Sequence, residues 1–208
     1  MAKIKIAEKI IRTVVCLGYA DAKPDEELYH QAFAVGKALA TAGYMVANGG
    51  GPGVMRATTE GAKEAGGRVV GVTFYPKDVE NFEGRDEHNP IDEEIKTKNY
   101  LERTLKLLDV GQAYLIFKGG TGTISEFGMA WGLARLYFGH HKPLILYGKF
   151  WEKIMAAFMS NMRMRPEEFQ VYRVVDSPEE VIVSLELFEL MLRHEKHKSS
   201  PAEKPFEI

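Results

Sequence analysis

The chain has 208 residues, with 27 basic against 29 acidic side chains and a formal charge of -2, the size of one domain. That near-balance excludes a strongly basic nucleic-acid binder, and no apolar run approaches the ~20 residues that a membrane-spanning helix needs. One cysteine, Cys16, allows no internal disulfide, so a reducing, cytoplasmic setting is expected. The stretch from Met1 to Gly18 mixes lysines, a glutamate and an arginine among its apolar residues and does not read as a secretory signal.

Hydrophobic periodicity predicts alternating strands and helices. Thr13 to Leu17 is a short β-branched run ending at Gly18, a buried strand. Apolar residues at helical spacing from Asp25 to Ala42 (Leu28, Ala32, Val35, Leu39) predict a helix that stops at Gly43. Tyr44 to Ala47 is a second strand, running into Asn48-Gly49-Gly50-Gly51-Pro52-Gly53. A helix from Val54 to Ala65 and a third strand from Arg68 to Thr73 follow. The polar, acidic stretch from Phe74 to Glu94 reads as a long loop, and loops of that length in compact domains are usually functional or disordered.

Ile95 to Leu108 is then a predicted helix and Ala113 to Phe117 a fourth strand. Gly119-Gly120-Thr121-Gly122-Thr123 leads into a helix to about Phe138. Pro143 to Tyr147, Trp151 to Asn161 and Val171 to Val175 read as strand, helix and sixth strand. A last helix starts at Ser177-Pro178-Glu179-Glu180 and ends near Arg193. Residues 1–193 form one domain in this reading, and 194–208 form a charged tail with two prolines that is expected to fray. The alternation implies a doubly wound parallel sheet with helices on both faces. The ligand site of such a sheet lies beyond the carboxyl ends of its strands, where the strand order reverses. Both glycine clusters directly follow strands and belong at that edge.

Glycines between a strand and a helix let backbone N–H groups approach a phosphate, and the helix N-terminus adds partial positive charge. The first cluster departs from the dinucleotide fingerprint G-x-G-x-x-G. Begun at Gly49 it puts Val54 in the last glycine's place, and begun at Gly51 it puts Arg56 there. No segment matches the P-loop G-x-x-x-x-G-K-[ST]. A tight strand-to-helix turn explains this cluster equally well. In the second cluster Thr123 and Glu126 have the spacing of a capping box, in which the glutamate bonds back to the helix start. A capping box does not require the glycines ahead of it. A glycine-rich turn with two threonine hydroxyls and a carboxylate one turn into the helix suits a phosphate beside a sugar. Together the two loops favour a phosphosugar or nucleotide site.

These residues resemble the LONELY GUY (LOG) family, formerly labelled possible lysine decarboxylases. Gly49, Gly50, Gly51, Gly53 and Met55 match the family's Gly-Gly-Gly-x-x-Gly-x-Met. Gly119, Gly120, Gly122, Thr123 and Glu126 match its Pro-Gly-Gly-x-Gly-Thr-x-x-Glu. The family's Arg-Lys pair on the preceding helix falls on Arg103 and Thr104. GGRVVGV from Gly66, Trp131 and HKPLILYGKFW from His141 extend the likeness over roughly residues 12 to 190. The resemblance implies a Rossmann-like fold, usually a homodimer or higher homo-oligomer; no cofactor is expected. It also implies hydrolysis of the N-glycosidic bond of a nucleoside 5'-monophosphate, of the AMP or cytokinin riboside type. Glu126 and Arg103 would be the catalytic pair. Gly49, Gly50, Gly51, Gly53, Met55, Gly119, Gly120, Thr121, Gly122 and Thr123 would line the substrate and its phosphate. The sequence departs from the family at Lys118 for proline, Thr104 for lysine, Tyr19-Ala20 for two serines after strand one, and throughout Asp78 to Glu94.

Cleavage through an oxocarbenium-like ribose needs stabilised positive charge and a delivered water. A first-turn Glu126 would be held ionised by the helix dipole and act as a carboxylate; Arg103 is permanently charged and cannot be a base. Without the family match, Arg103 reads as a solvated helix arginine paired with Glu102 or Asp109. Tyr19 and Asn48, at strand ends, are further candidate ligand contacts, and Met45, Met55, Met129 and Met155 read as core filling. Trp131, Leu133 and Tyr137 offer an apolar face for a dimer. Scattered histidines without H-E-x-x-H or C-x-x-C argue against a metalloenzyme. The serious rival is a nucleotide or molybdenum-cofactor carrier that uses the same loops without turnover.

Overall fold

The computed structural model describes residues 9–75, 84–136 and 142–196. Among these residues seven strands form one all-parallel sheet: β1 (Thr13–Leu17), β2 (Met45–Asn48), β3 (Val69–Phe74), β4 (Glu93–Thr97), β5 (Ala113–Ile116), β6 (Leu144–Tyr147) and β7 (Tyr172–Val175). The order across the sheet is β4-β3-β2-β1-β5-β6-β7. The chain winds outward from β1 in one direction and then, starting at β5, in the other, so the switch point lies between β1 and β5.

Among the described residues six helices cover the faces: α1 (Glu27–Thr41), α2 (Val54–Glu64), α3 (Tyr100–Val110), α4 (Thr121–Leu136), α5 (Phe150–Asn161) and α6 (Pro178–Lys196). The period of two in the central strands divides the core cleanly. Val14, Cys16, Leu115 and Phe117 pack with Ala32, Val35 and Leu39 of α1 and with Val181 and Leu185 of α6. Val15, Leu17, Tyr114 and Ile116 face the other way, onto Leu107 of α3, Phe127 and Trp131 of α4 and Trp151 of α5. This is the doubly wound Rossmann-like architecture that the alternation predicted.

One predicted element is corrected and one short turn is added. The helix expected from Ile95 starts only at Tyr100, and Ile95 lies in β4, an edge strand paired in parallel with β3 through Val72–Ile95 and Thr73–Lys96. The side chain of Asn99 stops the helix from extending backward by accepting the Glu102 N–H at 2.9 Å. A single 3-10 turn at Pro166–Phe169 was also not foreseen. Trp131, one residue of the apolar face expected to serve a dimer, packs within this chain. Trp131 is buried, stacks on Phe127 and donates its indole N–H to the Glu168 carbonyl at 2.6 Å. Tyr137 lies outside the described residues, as do 76–83 of the predicted long loop. Among the described residues no helix is long and apolar enough to cross a membrane.

Candidate functional site

The two glycine loops leave β2 and β5, the strands on either side of β1, and backbone hydrogen bonds tie them together through the turn that follows β1. Tyr19, just past β1, donates its N–H to the Lys118 carbonyl at 3.0 Å and accepts the Val54 N–H at 2.9 Å. This close approach requires Gly53, where φ is +62° and a Cβ would lie 2.4 Å from the carbonyl oxygens of Tyr19 and Ala20.

The first loop is turned inward. Asn48 is fully buried and its carboxamide is saturated. Oδ1 accepts the Gly50 N–H at 2.8 Å, and Nδ2 donates to the Met55 carbonyl at 3.0 Å and to Thr59 Oγ1 at 2.9 Å. Asn48 therefore staples the loop to α2 and is not a ligand contact. The segment after residue 84 covers the loop from outside. Asp86 N–H donates to the Gly50 carbonyl at 3.0 Å, and Asn89 Nδ2 donates to the Gly51 carbonyl at 2.8 Å. Arg85 reaches the carbonyls of Gly50, Asp86 and Asn89, with Glu94 3.8 Å from its Nε. The described part of the predicted long loop is thus a folded clasp on the glycine turn.

Arg103 is not a solvated helix arginine. It is 6% exposed, and its expected partners are occupied elsewhere: Glu102 accepts the Lys98 N–H at 3.0 Å, and Asp109 lies 2.6 Å from Lys106. Arg103 Nε donates to the Val72 carbonyl at 3.0 Å, and Nη2 donates to the Gly49 carbonyl at 3.1 Å and toward Met55 Sδ at 3.5 Å. A Cβ on residue 49 would sit 1.6 Å from that Nη2, so the first glycine of the loop makes room for the guanidinium. Met55 is consequently more than core filling, because its sulfur forms one wall of the arginine's seat.

The second loop is turned outward. Gly120, Thr121 and Gly122 are exposed, while Thr123 and Glu126 are buried. Helix α4 begins at Thr121, so its first N–H groups have no carbonyl partner within the helix and point toward the open edge. Thr123 lies inside the helix and cannot be its N-cap, which removes the capping-box reading. Its hydroxyl packs against Gly119, where a Cβ would lie 2.1 Å from Oγ1. Glu126, the sixth helical residue, sits one turn deeper than expected and is 8% exposed. Burial pushes its carboxyl up to about 7, against the opposing pull of the Arg103 charge. The expectation of a firmly ionised first-turn glutamate is therefore replaced by a carboxyl that takes up and releases a proton near neutrality. Among the described residues no group of three or more His, Cys, Asp or Glu side chains could hold a metal ion.

A doubly wound parallel sheet with a glycine-opened helix start at its switch point, a buried Glu126 behind that start and a buried Arg103 whose charge acts on it is the arrangement of a Rossmann-like protein of the LOG-like kind. The chain belongs to the SLOG cluster4 family, whose family model matches residues 11–181. It is 35% identical over 131 residues to a cytokinin riboside 5'-monophosphate phosphoribohydrolase of Mycobacterium tuberculosis, over 62% of this chain and 67% of that one. Among solved structures it is similar to TM1055, a structural-genomics target, at 26% identity and TM-score 0.64, covering 85% of this chain and 99% of that one. It also shares its fold with a molybdenum cofactor binding protein from Rippkaea orientalis, at 24% identity and TM-score 0.61, covering 88% and 98% of the two chains.

Proposed function

We propose that the protein hydrolyses the N-glycosidic bond of a nucleoside 5'-monophosphate, of the AMP or cytokinin riboside monophosphate type, releasing free base and ribose 5-phosphate. The observation that carries this reading is the buried Glu126, with a carboxyl near 7, set one turn behind an exposed glycine-rich helix start and under the charge of Arg103. The relative named as a phosphoribohydrolase supports it.

In this reading the two loops divide the labour. The 5'-phosphate lies on the second loop, on the N–H groups that open α4 and the hydroxyls of Thr121 and Thr123, with Gly119, Gly120 and Gly122 allowing close approach. The first loop, Gly49, Gly50, Gly51 and Gly53 with Met55, seats Arg103 and walls the ribose side. As C1'–N cleavage builds positive charge on the ribose, ionised Glu126 faces it and takes a proton from the attacking water. The hydroxyl joins C1', and the proton held on Glu126 passes to the departing base, so one water is consumed and one proton relayed. A pKa near the working pH suits a group that must both accept and give. Glu126 in this reading is also the proton donor for the leaving base.

The test is a panel of nucleoside 5'-monophosphates, including AMP and an N6-substituted adenosine monophosphate, incubated with wild type and Glu126→Gln. Base and ribose 5-phosphate released by wild type, with at least a hundredfold loss in the variant, is the expected result. Binding without release from any nucleotide would refute the hydrolase and leave a carrier.

A further inference from the structure

The catalytic couple proposed above sits on two different helices, so something must hold α3 against α4. Tyr100 opens α3, three residues before Arg103. Its phenol oxygen lies 2.6 Å from Ser125 Oγ, on the residue next to Glu126. Ser125 Oγ in turn donates to the Gly122 carbonyl at 2.8 Å. That use of the serine proton makes Tyr100 the donor in the first bond, with Gly122 O a longer contact of the phenol at 3.4 Å. In the i to i-4 pattern of the helix, the Gly122 carbonyl also accepts the backbone N–H of Glu126. The chain of hydroxyls therefore ends on the acceptor that fixes the catalytic residue's own backbone.

At its other end Tyr100 is anchored on the α3 cap. Its carbonyl accepts the Thr104 hydroxyl at 3.1 Å, and Arg103 N–H donates to the Asn99 carbonyl at 3.0 Å. Thr104, where the LOG pattern has a lysine, thus serves the first turn of α3.

We infer that Tyr100, acting through Ser125, is a positioning residue that sets the helix bearing Arg103 against the helix bearing Glu126 and the phosphate loop. The inference rests on the hydrolase reading. Tyr100 does not touch the reacting atoms. It limits how far the guanidinium and the carboxyl drift apart while substrate is bound, so its effect falls on turnover and not on affinity for the phosphate.

The test compares Tyr100→Phe, Ser125→Ala, Ser125→Thr and the Tyr100→Phe/Ser125→Ala double variant in steady-state hydrolysis of the best nucleotide, with thermal unfolding as the control for folding. Both single variants should lower kcat about tenfold, the scale of one neutral hydrogen bond, with KM within about twofold of wild type. Ser125→Thr, which keeps the hydroxyl, should restore kcat, and the double variant should be no worse than either single one because both cut the same link. Unchanged kcat in Tyr100→Phe, additive losses in the double variant, or failure of Ser125→Thr to restore turnover would overturn the positioning role while leaving the hydrolase standing. No hydrolysis by wild type would instead overturn the hydrolase reading, and this inference with it.

Discussion

Replacing Glu126 by glutamine should make the protein more stable above neutral pH. The carboxyl titrates near 7 in the folded chain because burial opposes its charge more strongly than Arg103 favours it, whereas in the unfolded chain it returns to the ordinary glutamate value. Between those two values the native state holds a proton that the unfolded state has released, so stability falls with rising pH by about 1.4 kcal/mol per pH unit. The contribution is fully present below about pH 4.5, is lost through pH 7 and is flat above it. Summed over that interval, the ionised side chain costs about 3 kcal/mol at pH 8. Glutamine keeps the shape and the neutral state at every pH. The variant should therefore match wild type near pH 4 and exceed it at pH 8 by up to about 3 kcal/mol, or roughly 6–12 °C in Tm for a chain of this size. Urea unfolding of both proteins across pH 4 to 8 measures the difference directly. A gap that stays constant with pH, or a variant less stable at pH 8, would show that Glu126 is not carried at a penalty and would remove the basis for its proton relay.

Gly49→Ala should expel the guanidinium, because the added methyl would lie 1.6 Å from Arg103 Nη2. Hydrolysis should fall at least a hundredfold with far-ultraviolet circular dichroism unchanged, and near-wild-type turnover would disprove the seat. Asn48→Ala strips the buried hydrogen bonds of the carboxamide to Gly50, Met55, Thr58 and Thr59 and should cost about 3 kcal/mol in chemical denaturation; a loss under 1 kcal/mol would contradict its role as staple. Glu189 accepts the N–H groups of Ile10 and Ile11 and pairs with Arg193. Burial raises its carboxyl, but those hydrogen bonds together with the Arg193 charge outweigh burial and hold it below the usual value. Its stabilisation is thus present above the ordinary glutamate pKa and lost as pH falls through the folded one. Glu189→Ala should cost about 2 kcal/mol at pH 7, and the gap should close on acidification below pH 4.

Much of the fold is legible because burial on both faces leaves a blunt signal: β5 and β6 are unbroken apolar runs, β1 is apolar after Thr13, and the glycine clusters mark the ends of β2 and β5. Edge strand β4 escaped because one neighbour and one covered face do not demand an apolar run, and Glu93-Glu94-Ile95-Lys96-Thr97 resembles the start of an amphipathic helix. The cap at Asn99, with Glu102 three residues on, was the signal that could have placed the boundary. The burial of Arg103 was also readable. Arg103, Thr104, Leu107 and Leu108 are the buried positions of α3, a single stripe at helical spacing, so the arginine occupies a core position of its own helix. Glu126 does likewise, on the face that also carries Thr123, Phe127, Ala130, Trp131 and Ala134. Treating each charge alone against its sequence neighbours hid this, whereas laying it on the helix would have shown it. The clasp over the first loop was not legible, because Arg85, Asp86 and Asn89 bond to backbone carbonyls and such bonds leave no pattern in side-chain type.

The placement of these two charges bears on what the site is for. A glutamine at 126 would satisfy a purely structural position with no pH-dependent cost, and an apolar residue at 103 would fill the stripe of α3 without a seat built from Gly49, Val72 and Met55. The fold instead keeps an ionisable group where ionisation is penalised, beside a fixed cation and behind a helix start left open by glycines. Strongly perturbed groups gathered at a sheet's switch point are the usual mark of a site working on a ligand. A carrier would use the open helix start, and the proposed hydrolysis would use the carboxyl as well. A hydrolase needs both, because the phosphate must be held while one proton is moved from water to the departing base. The pH dependence of Glu126→Gln stability and the nucleotide panel thus address the same carboxyl from two sides, one through folding and the other through turnover.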